Sequence, residues 1–154
     1  MAVHILKMAV GIESVEHLCQ VQADRLRRLA ESGDPQKLYH WTRNTPRRAE
    51  EITDGGSIYW IIKGYIRARQ RIISIDRSRD AAVVKKCGFV LDPVVVSTNL
   101  HTARPIQGWR YLEARAAPLD KHFRAPELAD MPEEMAEKAS RVAAEAFVEE
   151  NTDQ

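Results

Sequence analysis

An α+β domain on a strongly curved, mostly antiparallel sheet, or on a small barrel, is the fold this sequence predicts. Three observations predict it. One strongly periodic helix lies near the start. β-Branched and aromatic runs crowd the middle of the chain. Short polar turns separate those runs, which favours antiparallel pairing over helical crossovers. A short helix in the middle and another at the C-terminal end complete the prediction.

The elements follow in order. Ala2 to Val10 is apolar and reads as a first strand. Ser14 then stands where a helix N-cap is wanted, with Ile12 as an apolar lead-in. Val15, Leu18, Val21 or Gln22, Leu26 and Leu29 recur at helical spacing, and Gly33 stops the helix. Its polar face, "RLRR", reads as solvated. "LYHWTR", Leu38 to Arg43, alternates as a short strand. Thr45 and Pro46 open a short helix that ends at "DGG". Ser57 to Lys63 is apolar without alternation, as in a strand buried on both faces, and Gly64 interrupts it as a bulge or tight bend. Tyr65 to Ile75, Val83 to Leu91, Val94 to Thr98 and Trp109 to Leu112 read as further strands. Asp130 and Pro132 open the C-terminal helix, to about Val148. The division is a single α+β domain over 1–125, then an acidic helix and tail over 126–154.

Composition narrows the classes. The chain has 154 residues, enough for one domain with a core that needs no staples. No run of about 18 apolar residues occurs, so no membrane helix is expected. The N-terminus lacks the basic lead and cleavage site of a signal peptide. Cys19 and Cys87 make neither a disulfide framework nor a metal motif, and both are expected as buried, reduced thiols of a cytoplasmic protein. The net charge of +1 hides an asymmetry. Residues 1–34 sum to −1, residues 35–115 to +8 and residues 116–154 to −6. A basic middle suggests an anionic partner, unless the acidic end folds back upon it.

"SIYWIIKGYIRARQRIISID" carries the most pointed signal. On a strand, Arg67, Arg69 and Arg71 project together, about 6.6 Å apart, which suits a phosphate backbone. Ile73 and Ile75 share their parity, so a register change near Arg71 is required, or burial at that end alone. The plainer alternative is a solvated strand face. All three tryptophans and all four tyrosines fall among these basic residues. Aromatics beside a positive groove can stack single-stranded bases, although strand aromatics also fill cores. Trp60 suits the core. Trp109, beside Arg110, suits an exposed stacking surface.

Signals for catalysis are sparse. None of the five histidines has metal-ligand spacing to another His or Cys, so no metal and no cofactor is expected. His40 and Thr42 share one face of their strand. Lys63 ends an apolar run, where partial burial would lower its pKa and arm it as a base or nucleophile; the plainer reading is a strand end reaching solvent. These three are the weak catalytic candidates.

The words "GGS-YW-IKG", "RQRI", "LDP" and "GWRYL" resemble the alphaproteobacterial family catalogued as domain of unknown function 1489, from the start of the chain to about Asp120. The resemblance implies a bacterial, cytoplasmic, single-domain protein and supplies no activity. The Ala- and Glu-rich ending departs from the Leu-rich one associated with that family. The strand-rich middle is also loosely similar to PUA-like and ASCH-like small barrels, which bind RNA or modified nucleosides.

The leading expectation is a nucleic-acid-binding module, RNA foremost. Arg67, Arg69 and Arg71 would meet phosphates, while His40, Arg43, Trp109 and Arg110 line the rest of the groove. The alternative is a small ASCH-like hydrolase or nucleotide-modifying enzyme using Lys63, His40 or Thr42. A third reading is a protein-interaction module whose acidic C-terminal helix docks on a basic partner. The oligomeric state is not legible.

Overall fold

The computed structural model describes residues 2–121. The elements are β1 (Val3–Met8), α1 (Val15–Glu31), β2 (Leu38–Thr42), α2 (Ala49–Thr53), β3 (Ser57–Ile62), β4 (Tyr65–Arg77), β5 (Cys87–Leu91), β6 (Val96–Thr102) and β7 (Trp109–Glu113). A 3₁₀ turn, Ala114–Ala116, follows. The predicted C-terminal helix and the segment 126–154 lie outside the described residues.

The seven strands form one open mixed sheet in the order β2-β5-β4-β3-β1-β7, with β6 also on β4. Only β1 and β3 pair in parallel; the other pairings are antiparallel. An α+β, mostly antiparallel sheet is therefore what the described residues form, and its path runs open from β2 to β7 where a closed barrel was an option. The 13-residue β4 is its spine. Its first half lies against β3 and β6, and its second half against β5.

Local chemistry explains the boundaries. Ser14 Oγ accepts the amide of His17 at 3.0 Å, capping α1 as predicted. The helix seats Leu18 and, unusually, Gln22 in the core. Gln22 exchanges two amide hydrogen bonds with the fully buried Gln70 of β4, at 2.8 and 2.7 Å. Gln70 Oε1 also accepts from Trp60 Nε1 at 2.9 Å. Buried amides satisfied this completely fix how the helix sits on the sheet. Cys19, one residue past Leu18, points to solvent, so its expected burial is corrected; Cys87 is buried and free.

β3 is buried along its whole length, as its lack of alternation predicts. Ile58, Trp60 and Ile62 enter the main core with Ile5, Phe89 and Leu91, while Tyr59 and Ile61 enter a second cluster with Leu112 and Ala116. Lys63 (φ 51°) and Gly64 (φ 80°) form the tight turn into β4. The bend predicted at Gly64 is thus a hairpin, and the bulges lie elsewhere. One is at Arg67, the extra residue between the pairs Trp60–Ala68 and Ile61–Ile66. It switches the phase of the strand: Ile66 joins the second cluster and Ala68, two residues on, joins the first. Another is at Ile73, between the pairs Ile72–Leu91 and Ser74–Val90. Ile73 is 52% exposed, while Ile75 packs on the core. The register change expected near Arg71 thus occurs on both sides of it.

Boundaries of three predicted elements moved. The short helix starts at Ala49, beyond Thr45 and Pro46, with Arg48 at its N-cap and no side-chain cap. Arg48 instead ties α2 to β7 through Glu51 and Glu113, the latter at 2.7 Å. The run from Val83 becomes a strand only at Cys87, because the residues before it have no neighbouring strand to pair with. The strand predicted over Val94–Thr98 lies two residues later at its start and extends to Thr102.

A candidate anion-binding cavity

The short edge strand β2 pairs only with β5, through Trp41–Gly88 and its neighbours. Trp41 lies across the α-carbon of Gly88, where a β-carbon would stand 2.8 Å from the indole. Tyr39 stacks on Trp41 at 5.1 Å and donates to Asp76 at 2.6 Å. These two aromatics thereby stiffen the outer face of the strand. His40 projects to the opposite, core side, edge-on to Trp60 at 5.1 Å.

On that core side a cavity of about 550 Å³ opens between β2, α1, the end of β1 and Trp109 of β7. Its apolar wall includes Ile12, Leu18, Trp60 and Leu91. Its charged lining is Lys7, Arg25, Arg43 and Lys85, with no carboxylate among the lining residues. Arg25, Arg43 and Lys85 are exposed, whereas Lys7 is half-buried. Arg25 Nη1 donates to the carbonyl of Tyr39 at 3.4 Å. Lys7 stands opposite Trp109 across the β1–β7 pairing.

The electrostatics follow from that lining. Burial and then the charge of Lys85 lower the pKa of Lys7. Burial and then Lys7, Arg25 and Lys85 bring the pKa of His40 down to about 4. His40 is therefore neutral at physiological pH. It stands uncharged in a positive field and is not a base poised near neutrality. Its Nε2 is buried and has no hydrogen-bond partner among the described residues.

The cavity brings together four of the residues singled out from sequence: His40, Thr42, Arg43 and Trp109. Thr42 is buried, and its hydroxyl donates to Asn44 O at 3.3 Å. Trp109 is half-buried rather than exposed, donating from Nε1 to the same carbonyl at 3.0 Å. Arg110 is exposed, does not line the cavity, and bonds the carbonyls of Gln107 and Trp109. The row of arginines is extended but does not emerge as three equivalent tips. Arg67 donates to Ile62 O at 2.7 Å and lies over the Tyr65 ring. Arg69 is held by both carboxylate oxygens of Asp120, at 2.7 and 2.8 Å. Of the three, Arg71 alone is exposed, Arg67 and Arg69 being partly buried. Lys63 sits in the hairpin turn, more than half exposed, and pairs with Glu13 at 2.8 Å. The burial that would arm it is absent, because the turn carries it out of the apolar strand.

Lys7, Arg25, Lys85 and Trp60 belong to the cavity and were not legible as such. Lys7 is the one charge in an otherwise apolar first strand, apart from His4, and that interruption is the signal that points to it. Arg25 read as solvated helix surface. Among the described residues no cluster of His, Cys, Asp or Glu could hold a metal ion. Nor is any helix there long and apolar enough to cross a membrane.

The family described as "Protein of unknown function (DUF1489)" matches residues 5–144. The chain belongs to this family. The match runs on past Asp120, where the recognisable motifs stop, into the acidic C-terminal segment. No curated protein and no solved structure matches the chain.

Proposed function

We propose that this protein binds nucleic acid, RNA foremost, and that the cation-lined cavity beside β2 is the centre of the interface. One observation carries the reading: four cationic side chains line one cavity with no carboxylate among them. Like charges gathered without counterions cost free energy, and an anionic ligand removes that cost. The described body supports the same reading, with 20 Lys and Arg against 13 Asp and Glu over residues 2–121. The arginine row of β4 stands apart from this cavity: Arg67 and Arg71 do not line it, and Arg69 is held by Asp120. The bacterial and cytoplasmic setting implied by the sequence resemblance fits such a role.

Fluorescence anisotropy with a labelled single-stranded RNA, titrated over a salt series, tests this. Replacing Lys7 and Lys85 with Met should weaken binding at least about tenfold. It should also flatten the salt slope by about 1.4, from roughly 0.7 per neutralised phosphate contact on a single strand. An unchanged affinity and slope would remove the cavity from the interface.

A further inference from the structure

We infer that the cavity holds one unstacked nucleotide, with the phosphate on the rim cations and the base inside against Trp60 and His40. This rests on the nucleic-acid reading of the same site and specifies what enters it.

The size comes first. About 550 Å³ lies within the range of small-molecule sites, room for a single nucleotide but not for a stacked strand. Polarity is the second argument, because the cavity is graded. Arg25, Arg43 and Lys85 are exposed, whereas Trp60 is 3% exposed and is flanked by Leu18 and Leu91. A ligand with a charged end and a flat apolar body matches that gradient, and a bare inorganic anion leaves the inner wall unused. Hydrogen bonding is the third. His40 lines the cavity, and its Nε2 is buried with no partner among the described residues, a cost that a ligand donor or acceptor reaching that atom would relieve. A nucleobase edge offers both; a hydrocarbon ring offers neither. The Gln22–Gln70–Trp60 hydrogen bonds hold the indole in place, so the inner surface is formed before the ligand arrives.

The test uses the full chain and the four nucleoside 5′-monophosphates, with the matching nucleosides and inorganic phosphate as controls. Tryptophan fluorescence and calorimetry are the readouts. At least one monophosphate should bind saturably, about tenfold or more tighter than its nucleoside and than phosphate. His40→Phe should bring the four monophosphates to within a few-fold of one another, while Lys7→Met/Lys85→Met should weaken all of them. In the unmutated protein, the imidazole resonances of His40 should shift on saturation, which needs no variant to fold. If no monophosphate outcompetes inorganic phosphate, or the His40 signals stay still at saturation, the nucleotide assignment is wrong. The RNA anisotropy experiment then separates the two claims. Retained oligonucleotide binding leaves the interface standing without this occupant, and its loss removes both.

Discussion

His40 shows how one side chain can be placed by local pattern and defined by distant neighbours. Alternation puts it on the face of Thr42, and the fold then buries it beside Trp60 and within the field of Lys7, Arg25 and Lys85. Its folded-state pKa of about 4 lies below the ordinary histidine value, so the unfolded chain takes up a proton that the native chain refuses. Its contribution to stability is therefore complete above about pH 6.5, fades as the pH falls toward 4, and is gone below that. The scale is roughly 3–4 kcal/mol, from about 1.4 kcal/mol per pH unit across the gap between 6.5 and about 4. His40→Gln should abolish this component. Urea unfolding of both proteins between pH 7 and pH 4 should show the wild type losing more stability than the variant. A constant difference between them would contradict the burial of His40 in a positive field. Lys63 shows the opposite case: its place at the end of an apolar run left open a partly buried amine or a strand end reaching solvent, and the turn put it in water.

β4 is the element on which most of the organisation depends, and two inserted residues give it that capacity. The bulge at Arg67 lets one strand feed both hydrophobic clusters. The strand passes from β3 and β6 to β5 between Arg71 and Ile72, and the bulge at Ile73 then shifts its register along β5. Between the bulges, Arg69 and Arg71 face the pairing partners Tyr59 and Ser57. Arg69 uses this position to fasten the segment after β7: it grips Asp120, while Asn99 N donates to Leu119 O and Lys121 N to Ser97 O on β6. Arg69→Met should cost about 1–2 kcal/mol, as expected for a charge-assisted pair that is only partly shielded from water. Adding Asp120→Asn should recover part of that loss by removing the unpaired carboxylate. Chemical denaturation of the wild type, the two single variants and the double variant measures the coupling. Additive losses would mean that the pair does not hold the segment.

Charge is divided along this chain. The net +1 combines a basic body with the acidic residues 126–154, and removing those residues leaves +8. Long-range attraction to a polyanion follows net charge and is screened by salt. The chain ending at residue 125 should therefore bind single-stranded RNA more tightly and associate faster than the full chain, with the gain shrinking as salt rises. Stopped-flow association at low and high salt would show it. Equal rates at both would mean that the acidic residues exert no such influence. Because the family match reaches residue 144, the acidic segment belongs mostly to the same family unit as the body.

Helix α1, its Ser14 cap, the doubly buried β3 and the charge asymmetry were all readable from residue order, because each arises from neighbours within a few positions. Periodicity places a face, a hydroxyl caps the next turn, and an unbroken apolar run means burial on both sides. The arginine row was readable as an extended segment, yet its accessibility was not. Whether a guanidinium meets water depends on a bulge at Arg67 and on Asp120, 51 residues beyond Arg69. The cavity was out of reach for the same reason. Lys7, Arg25 and Lys85 lie on three separate segments, and only the packing of α1 and β1 around the edge strand β2 brings their charges together about His40.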